Sequence, residues 1–307
     1  MFKLAFFDFE SSGPGISKHA PKKKGAKLFF DILFRRFWQL MGLNLLYFVF
    51  FVPLFLTLSV ISFFNSYTVI IVLCALLTLF FMVTIGPATA GMTKIIRSYL
   101  IDKHSFMVRD FFRAFKRNFK KSSIIGFLDC LILFSVYASL NVYPVMASQY
   151  NMKLLYVPMT LTLSIALIVM MMNYYIYLML IATNLSLKNL IKNSFALTFV
   201  AMKTNLLTTI VSFACIGLMF FLMLYVTPVF MVLITIFPAA FICYVTCFNS
   251  YPVIQKYVIN PYYTSIGEIN PELVEDEPDD EDVIFEDRGG EEKPIEKRKK
   301  GKGKRIS

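Results

Sequence analysis

The chain has 307 residues, of which 57% are apolar and 17% charged, with 33 Phe and 16 Tyr. An ordinary soluble domain carries about 45–50% apolar and about 25% charged residues, so a mean hydropathy of +0.63 excludes a soluble enzyme built around one core. The formal net charge of +11 does not point to nucleic acid, because the basic residues border apolar runs instead of forming a free patch.

Residues 1–41 read as an arm followed by an interfacial helix. Ser12-Gly13-Pro14-Gly15 breaks any helix, and Lys22-Lys23-Lys24 suits anionic lipid headgroups. Residues 28–41 are expected to lie in the membrane plane. A crossing helix needs about 20 apolar residues. The 57 uncharged residues from Phe37 to Thr93 therefore give two crossings, at 42–62 and 67–86, turning at Phe63-Phe64-Asn65-Ser66. Gly86-Pro87-Ala88-Thr89-Ala90-Gly91 ends the second crossing. Its small residues admit a close neighbour, and Pro87 removes a helix donor, so Gly86, Pro87 and Gly91 are candidate packing or hinge residues.

In the loop at 94–121, residues 105–121 read as a second in-plane amphipathic helix. Val108, Phe111, Phe112, Phe115 and Phe119 recur at helical spacing, opposed by Arg109, Arg113, Lys116, Arg117 and Lys120. Such a basic, Phe-rich helix seats at the headgroup boundary or docks onto a partner, which makes Phe111, Phe115 and the five basic residues candidates for lipid or partner contact. The third crossing is expected at 123–144 and the fourth at 156–182. A weaker amphipathic segment at 187–199 follows, within the loop at 184–203. The last two crossings are expected at 205–225 and 229–249, with the break near Tyr225-Val226-Thr227-Pro228. Phe30, Phe111 and Ile191, then Phe34, Phe115 and Phe195, then Trp38, Phe119 and Phe199 keep matching offsets. The chain thus reads either as three helix-plus-hairpin units or as a chance alignment among many Phe.

The expected fold is all-α: a polytopic helical membrane protein with six transmembrane helices over 42–250 and amphipathic helices on one side. Thirty of the 31 Lys and Arg fall on the side of the termini, and only Lys153 falls on the other. Both termini and the two longer loops are therefore expected in the cytoplasm of a multi-pass cell-membrane protein. The first apolar run is too long for a signal peptide. Residues 251–307 read as a cytoplasmic tail, acidic then basic, and largely disordered.

Asp129 is the one ionisable residue expected inside a crossing, where a charge costs roughly 2.5–3.5 kcal/mol on insertion scales. It lies eight residues, or about 12 Å, beyond Lys121. Asn44 lies at a similar depth, and Asn173, Ser212 and Asn249 belong to the same half. Asp129, Asn44 and Asn173 form the candidate intramembrane polar site. It serves either as a binding site for a proton, a cation or a sugar hydroxyl, or as an interhelical hydrogen bond. Cys74, Cys130, Cys215, Cys243 and Cys247 sit in apolar runs and read as small hydrophobes. No phosphate loop, nucleophile elbow or zinc pair is present in the sequence. No enzyme activity, metal or cofactor is expected, and oligomeric state is left open.

Three strings carry a resemblance to a known family. They are Phe7-Asp8-Phe9-Glu10 with Gly13-Pro14-Gly15; Val83-Thr84-Ile85-Gly86-Pro87-Ala88-Thr89-Ala90-Gly91-Met92; and Asp110-Phe111-Phe112-Arg113-Ala114-Phe115-Lys116-Arg117-Asn118-Phe119-Lys120. With Asn184-Leu185-Ser186-Leu187-Lys188-Asn189-Leu190-Ile191-Lys192-Asn193, they resemble the YesL family of Gram-positive bacterial membrane proteins over roughly residues 1–250. The resemblance implies an integral membrane protein of unassigned activity, and an accessory role beside carbohydrate ABC importers or membrane sensors. The Glu-Ala-Ala-type coupling motif of a core permease subunit is not found. The alternative reading is a secondary transporter or channel with its site around Asp129.

Overall fold

The computed structural model describes residues 25–64, 66–268 and 270. The N-terminal arm before Gly25 and the acidic-then-basic tail lie outside them. Among the described residues all regular structure is helical. The helices are α1 (Ala26–Arg35), α2 (Phe37–Phe48), α3 (Val52–Phe63), α4 (Tyr67–Leu100), α5 (Met107–Gln149), α6 (Tyr156–Ala182), α7 (Leu187–Val200), α8 (Met202–Tyr225), α9 (Thr227–Ile236), α10 (Pro238–Ile254) and α11 (Asn260–Ser265).

Five runs are long and apolar enough to cross a membrane: Phe37–Phe63, Tyr67–Leu100, Met107–Gln149, Lys153–Ala182 and Met202–Tyr225. The sixth expected crossing falls on a bent pair of helices, which has the form of a broken span or of a re-entrant loop. Thr227–Ile236 and Pro238–Ser265 are bent by 49° at Phe237, because Pro238 cannot donate to the preceding turn. The sequence pattern placed a break before this crossing, and Pro238, which offers a kink, marks the bend within it. The helical run also continues past residue 250 to Ser265, beyond the expected start of the tail.

The expected in-plane helices divide. Residues 187–199 do form a separate helix, α7, capped by the Ser186 hydroxyl accepting from the Asn189 N–H. The segment at 28–41 is split at Arg36, and its second part is continuous with the first crossing. The segment at 105–121 is not separate, since α5 is one helix of 43 residues. At about 1.5 Å per residue α5 is about 65 Å long and α4, with 34 residues, about 51 Å. Both overrun a hydrocarbon layer of about 30 Å.

Burial is concentrated at the Lys- and Arg-rich end. There α6 is enclosed on every side from Tyr174 to Ile181, as expected of a helix apolar all round. In α4 burial begins at Thr84, and in α8 it ends at Ser212. The far halves of these helices leave most apolar side chains exposed, which costs nothing where the surroundings are hydrocarbon.

The closest approach in this core is between α4 and α5. A Cβ built on Gly86 would lie 1.9 Å from the Ser122 carbonyl oxygen, and one on Gly126 would lie 2.6 Å from the Gly86 nitrogen. One turn further along, a Cβ on Gly91 would lie 3.0 Å from the Phe111 ring. Meanwhile α4 continues unbroken through Pro87, and the string packs closely against α5. Gly217 on α8 has nothing within 4 Å of its Cβ position. Gly86→Ala should therefore destabilise the fold by about 1–3 kcal/mol through overpacking, whereas Gly217→Ala should leave it unchanged or slightly firmer. Thermal melts of the two purified variants in the same detergent test this, and equal shifts would contradict it.

Candidate functional site

The ends of broken helices carry carbonyls and N–H groups without intrahelical partners. In a packed, water-poor core such groups need side-chain partners. Asn44 on α2 meets that need at the 49° bend. Its Nδ2 donates to the Ile234 and Thr235 carbonyls at 3.3 and 2.8 Å, and its Oδ1 accepts from the Ala240 N–H at 2.8 Å. Asn44 was expected beside Asp129. The structure separates them, because α9 and α10 offer Asn44 three backbone partners. Asn205 mends the α7–α8 break in the same way. Its Nδ2 donates to the Thr198 carbonyl at 2.8 Å, while its Oδ1 accepts from the Tyr175 hydroxyl.

Asp129 and Asn173 are brought together. The Asn173 Nδ2 donates to Asp129 Oδ1 at 2.6 Å, and the Tyr177 hydroxyl donates to Oδ2 at 2.9 Å. Tyr177 was not singled out in the sequence. The available signal was its position four residues after Asn173, hence on the same face of α6. Because α5 is continuous from Lys121, Asp129 lies about 12 Å along the helix from it. The other polar residues of this half go elsewhere. The Asn249 Nδ2 donates to the Thr208 hydroxyl at 2.9 Å, and Ser212 is buried one turn further along α8.

Asp129 faces a cavity of about 950 Å³, within the range of small-molecule sites. Its walls come from α2, α4, α5, α6, α8 and α10, with Phe51 between α2 and α3. They are mostly apolar, with rings contributed by Tyr47, Phe51, Phe81, Tyr174, Tyr177 and Phe213. The Tyr47 hydroxyl is paired with Thr89 at 3.0 Å, and the Tyr174 hydroxyl with Thr209 at 3.0 Å. Among the described residues, Asp129 is the single Asp, Glu, Lys, Arg or His that lines it. Cys243 and Cys247 share one wall with their sulfurs 3.9 Å apart, and no group of three metal-binding side chains occurs among the described residues.

The docking candidates on α5 separate by face. Arg109, Arg113, Lys116, Arg117 and Lys120 are all exposed. Phe111 is fully buried and Phe115 half-buried, the first tilted against Phe50 and the second stacked on it, at ring separations of 5.9 and 5.3 Å. The vacancy at Gly91 is filled by the Phe111 ring, which therefore belongs to the core, while Phe115 packs against that core and stays half-exposed. The exposed apolar stripe is Val108, Phe112 and Phe119. In the other two matching segments Phe30, Phe34 and Trp38, and Ile191, Phe195 and Phe199, are exposed. The threefold sequence pattern therefore does not carry through to a common environment. Asp110 caps the start of α5, accepting from the Phe106 N–H at 2.9 Å.

Residues 40–140 match the family described as "Protein of unknown function, DUF624". Neither a curated protein nor a solved structure matches the chain.

Replacing Asn44 by Ala would leave two carbonyls and one N–H of the α9–α10 bend unpaired. A loss of about 1–3 kcal/mol for a buried orphaned group should appear as a lowered melting temperature. Ser135→Ala, which deletes only an exposed bond to the Leu131 carbonyl within α5, should leave it unchanged.

Proposed function

We propose that the chain is a YesL-like integral membrane protein of a Gram-positive bacterium, with its basic end in the cytoplasm. It acts as a non-enzymatic accessory component of carbohydrate ABC uptake or of the sensing that controls it. Support comes from the row of exposed Arg109, Arg113, Lys116, Arg117 and Lys120 beside exposed Phe112, on a helix too long to lie wholly in hydrocarbon. A row of this kind offers charge and aromatic surface to an importer or sensor subunit, and to anionic headgroups around it. The cavity is a poor fit to a free sugar, whose hydroxyls need more polar partners than its walls provide. That favours an assisting role over direct sugar transport.

Affinity purification from native membranes in mild detergent should recover an importer or sensor subunit. Reversing charge at Arg113, Lys116 and Arg117 together should cut that recovery severalfold without lowering the amount of protein in the membrane. Purification that brings down no such subunit would sink the accessory reading.

A second reading, a secondary transporter or channel, is favoured by the cavity around Asp129. It requires the purified protein alone to move a solute across liposomes. Uptake should then fall to the level of empty vesicles in Asp129→Asn, and vesicles that never exceed that level rule this reading out.

A further inference from the structure

An ionised carboxylate taken out of water needs a charge partner, or it is costly to keep. Asp129 receives one hydrogen bond on each oxygen, both from neutral donors. A carboxylate has about four acceptor positions, so two remain. No Lys, Arg or His among the described residues lines the cavity to complete the charge. Around this single acid the walls supply aromatic faces and methionine sulfur, with Tyr47, Phe51 and Phe81 forming one packed group at ring separations of 5.6 and 5.3 Å.

These features select among ligand classes. A hard divalent cation takes six or more oxygen ligands, and the oxygens gathered at Asp129 are too few. A polyol needs many hydrogen-bond partners, and the Tyr47, Tyr174 and Tyr177 hydroxyls on these mostly apolar walls are already paired within the protein. An anion meets the carboxylate itself. What fits is a positive charge spread over an apolar body. The carboxylate supplies the counter-charge, and the ring faces attract the cation and accept its hydrocarbon surface.

We propose that the cavity is a binding site for a monovalent organic cation with an apolar or aromatic body. The acid is the selective element, and the rings set the tolerance for shape. The proposal stands on the cavity alone. It neither needs nor follows from docking to importer subunits, and binding without uptake would sink the transporter reading while leaving the ligand class intact.

The test uses the full chain in lipid nanodiscs, with empty nanodiscs subtracted, and tetraphenylphosphonium as the probe in calorimetric titration. Triphenylphosphine oxide serves as a neutral aryl counterpart. Saturable one-to-one binding of the cation is expected, at least tenfold tighter than that of the neutral compound. Asp129→Asn, which keeps the side-chain shape, should weaken the cation at least tenfold and leave the neutral compound unchanged. Ala166→Trp, which fills the cavity from α6 without touching Asp129, should abolish binding, and it decides the matter if the first variant does not fold. Cation binding that is absent, equal in the neutral compound, unchanged in a folded Asp129→Asn protein, or unaffected by Ala166→Trp would overturn the proposal.

Discussion

The backbone contact of Gly86 with Ser122 and Gly126 is the constraint on which the remaining geometry depends. Two helices that touch backbone to backbone have their register fixed within a fraction of a turn, because any slip places a Cβ where none fits. With α4 and α5 so aligned, Gly91 falls opposite Phe111, and that ring is drawn into the core against Phe50. Thr89 and Asp129, each three residues beyond a contact glycine, then fall on walls of the same cavity. A pair of glycines thus sets both the core and the candidate site.

Buried amides do a second kind of work here. Asn44 and Asn205 both lie beside a break in a neighbouring or preceding helix, and Asn44 through both its polar atoms and Asn205 through its Nδ2 pair with backbone groups that the break releases. Their burial is explained by the fold alone. Asp129 differs, since its partners are side chains of an unbroken helix and no backbone group needs it. A leucine there would leave Asn173 and Tyr177 to find other partners, but no helix end would be orphaned. That contrast separates polar residues that maintain the bundle from the one that does not have to.

The large-scale fold was legible because it is written in missing charge: stretches without Lys, Arg, Asp or Glu gave the crossings, and the ordering of helices followed. Where the pattern failed, periodicity alone was the guide. Phe111 and Phe112 are equally compatible with an apolar stripe, and only the space at Gly91 determines which one turns inward. The join between 105–121 and the third crossing was hidden, since no Gly or Pro marks either a break or its absence. The bend at Phe237 was marked by Pro238, yet a proline offers a kink without fixing its angle. For the site, the Asp129–Asn173 pair was within reach of a depth argument. Equal depth placed Asn44 on the wrong side, because depth says nothing about which face of a helix meets which neighbour.

The uneven distribution of burial gives the cavity its character. At the basic end, interhelical bonds such as Lys121 to the Leu185 carbonyl and Tyr244 to the Phe29 carbonyl tie distant segments together. Among the described residues the far halves have fewer such ties, the Cys74 thiol to the Thr57 carbonyl between α4 and α3 being one, and in hydrocarbon they lack a hydrophobic drive to mutual burial. The cavity spans this transition, with Asp129, Asn173 and Thr93 on its walls together with exposed residues such as Leu133 and Leu167. Apolar walls around a single acid are what a cation with a hydrocarbon body requires.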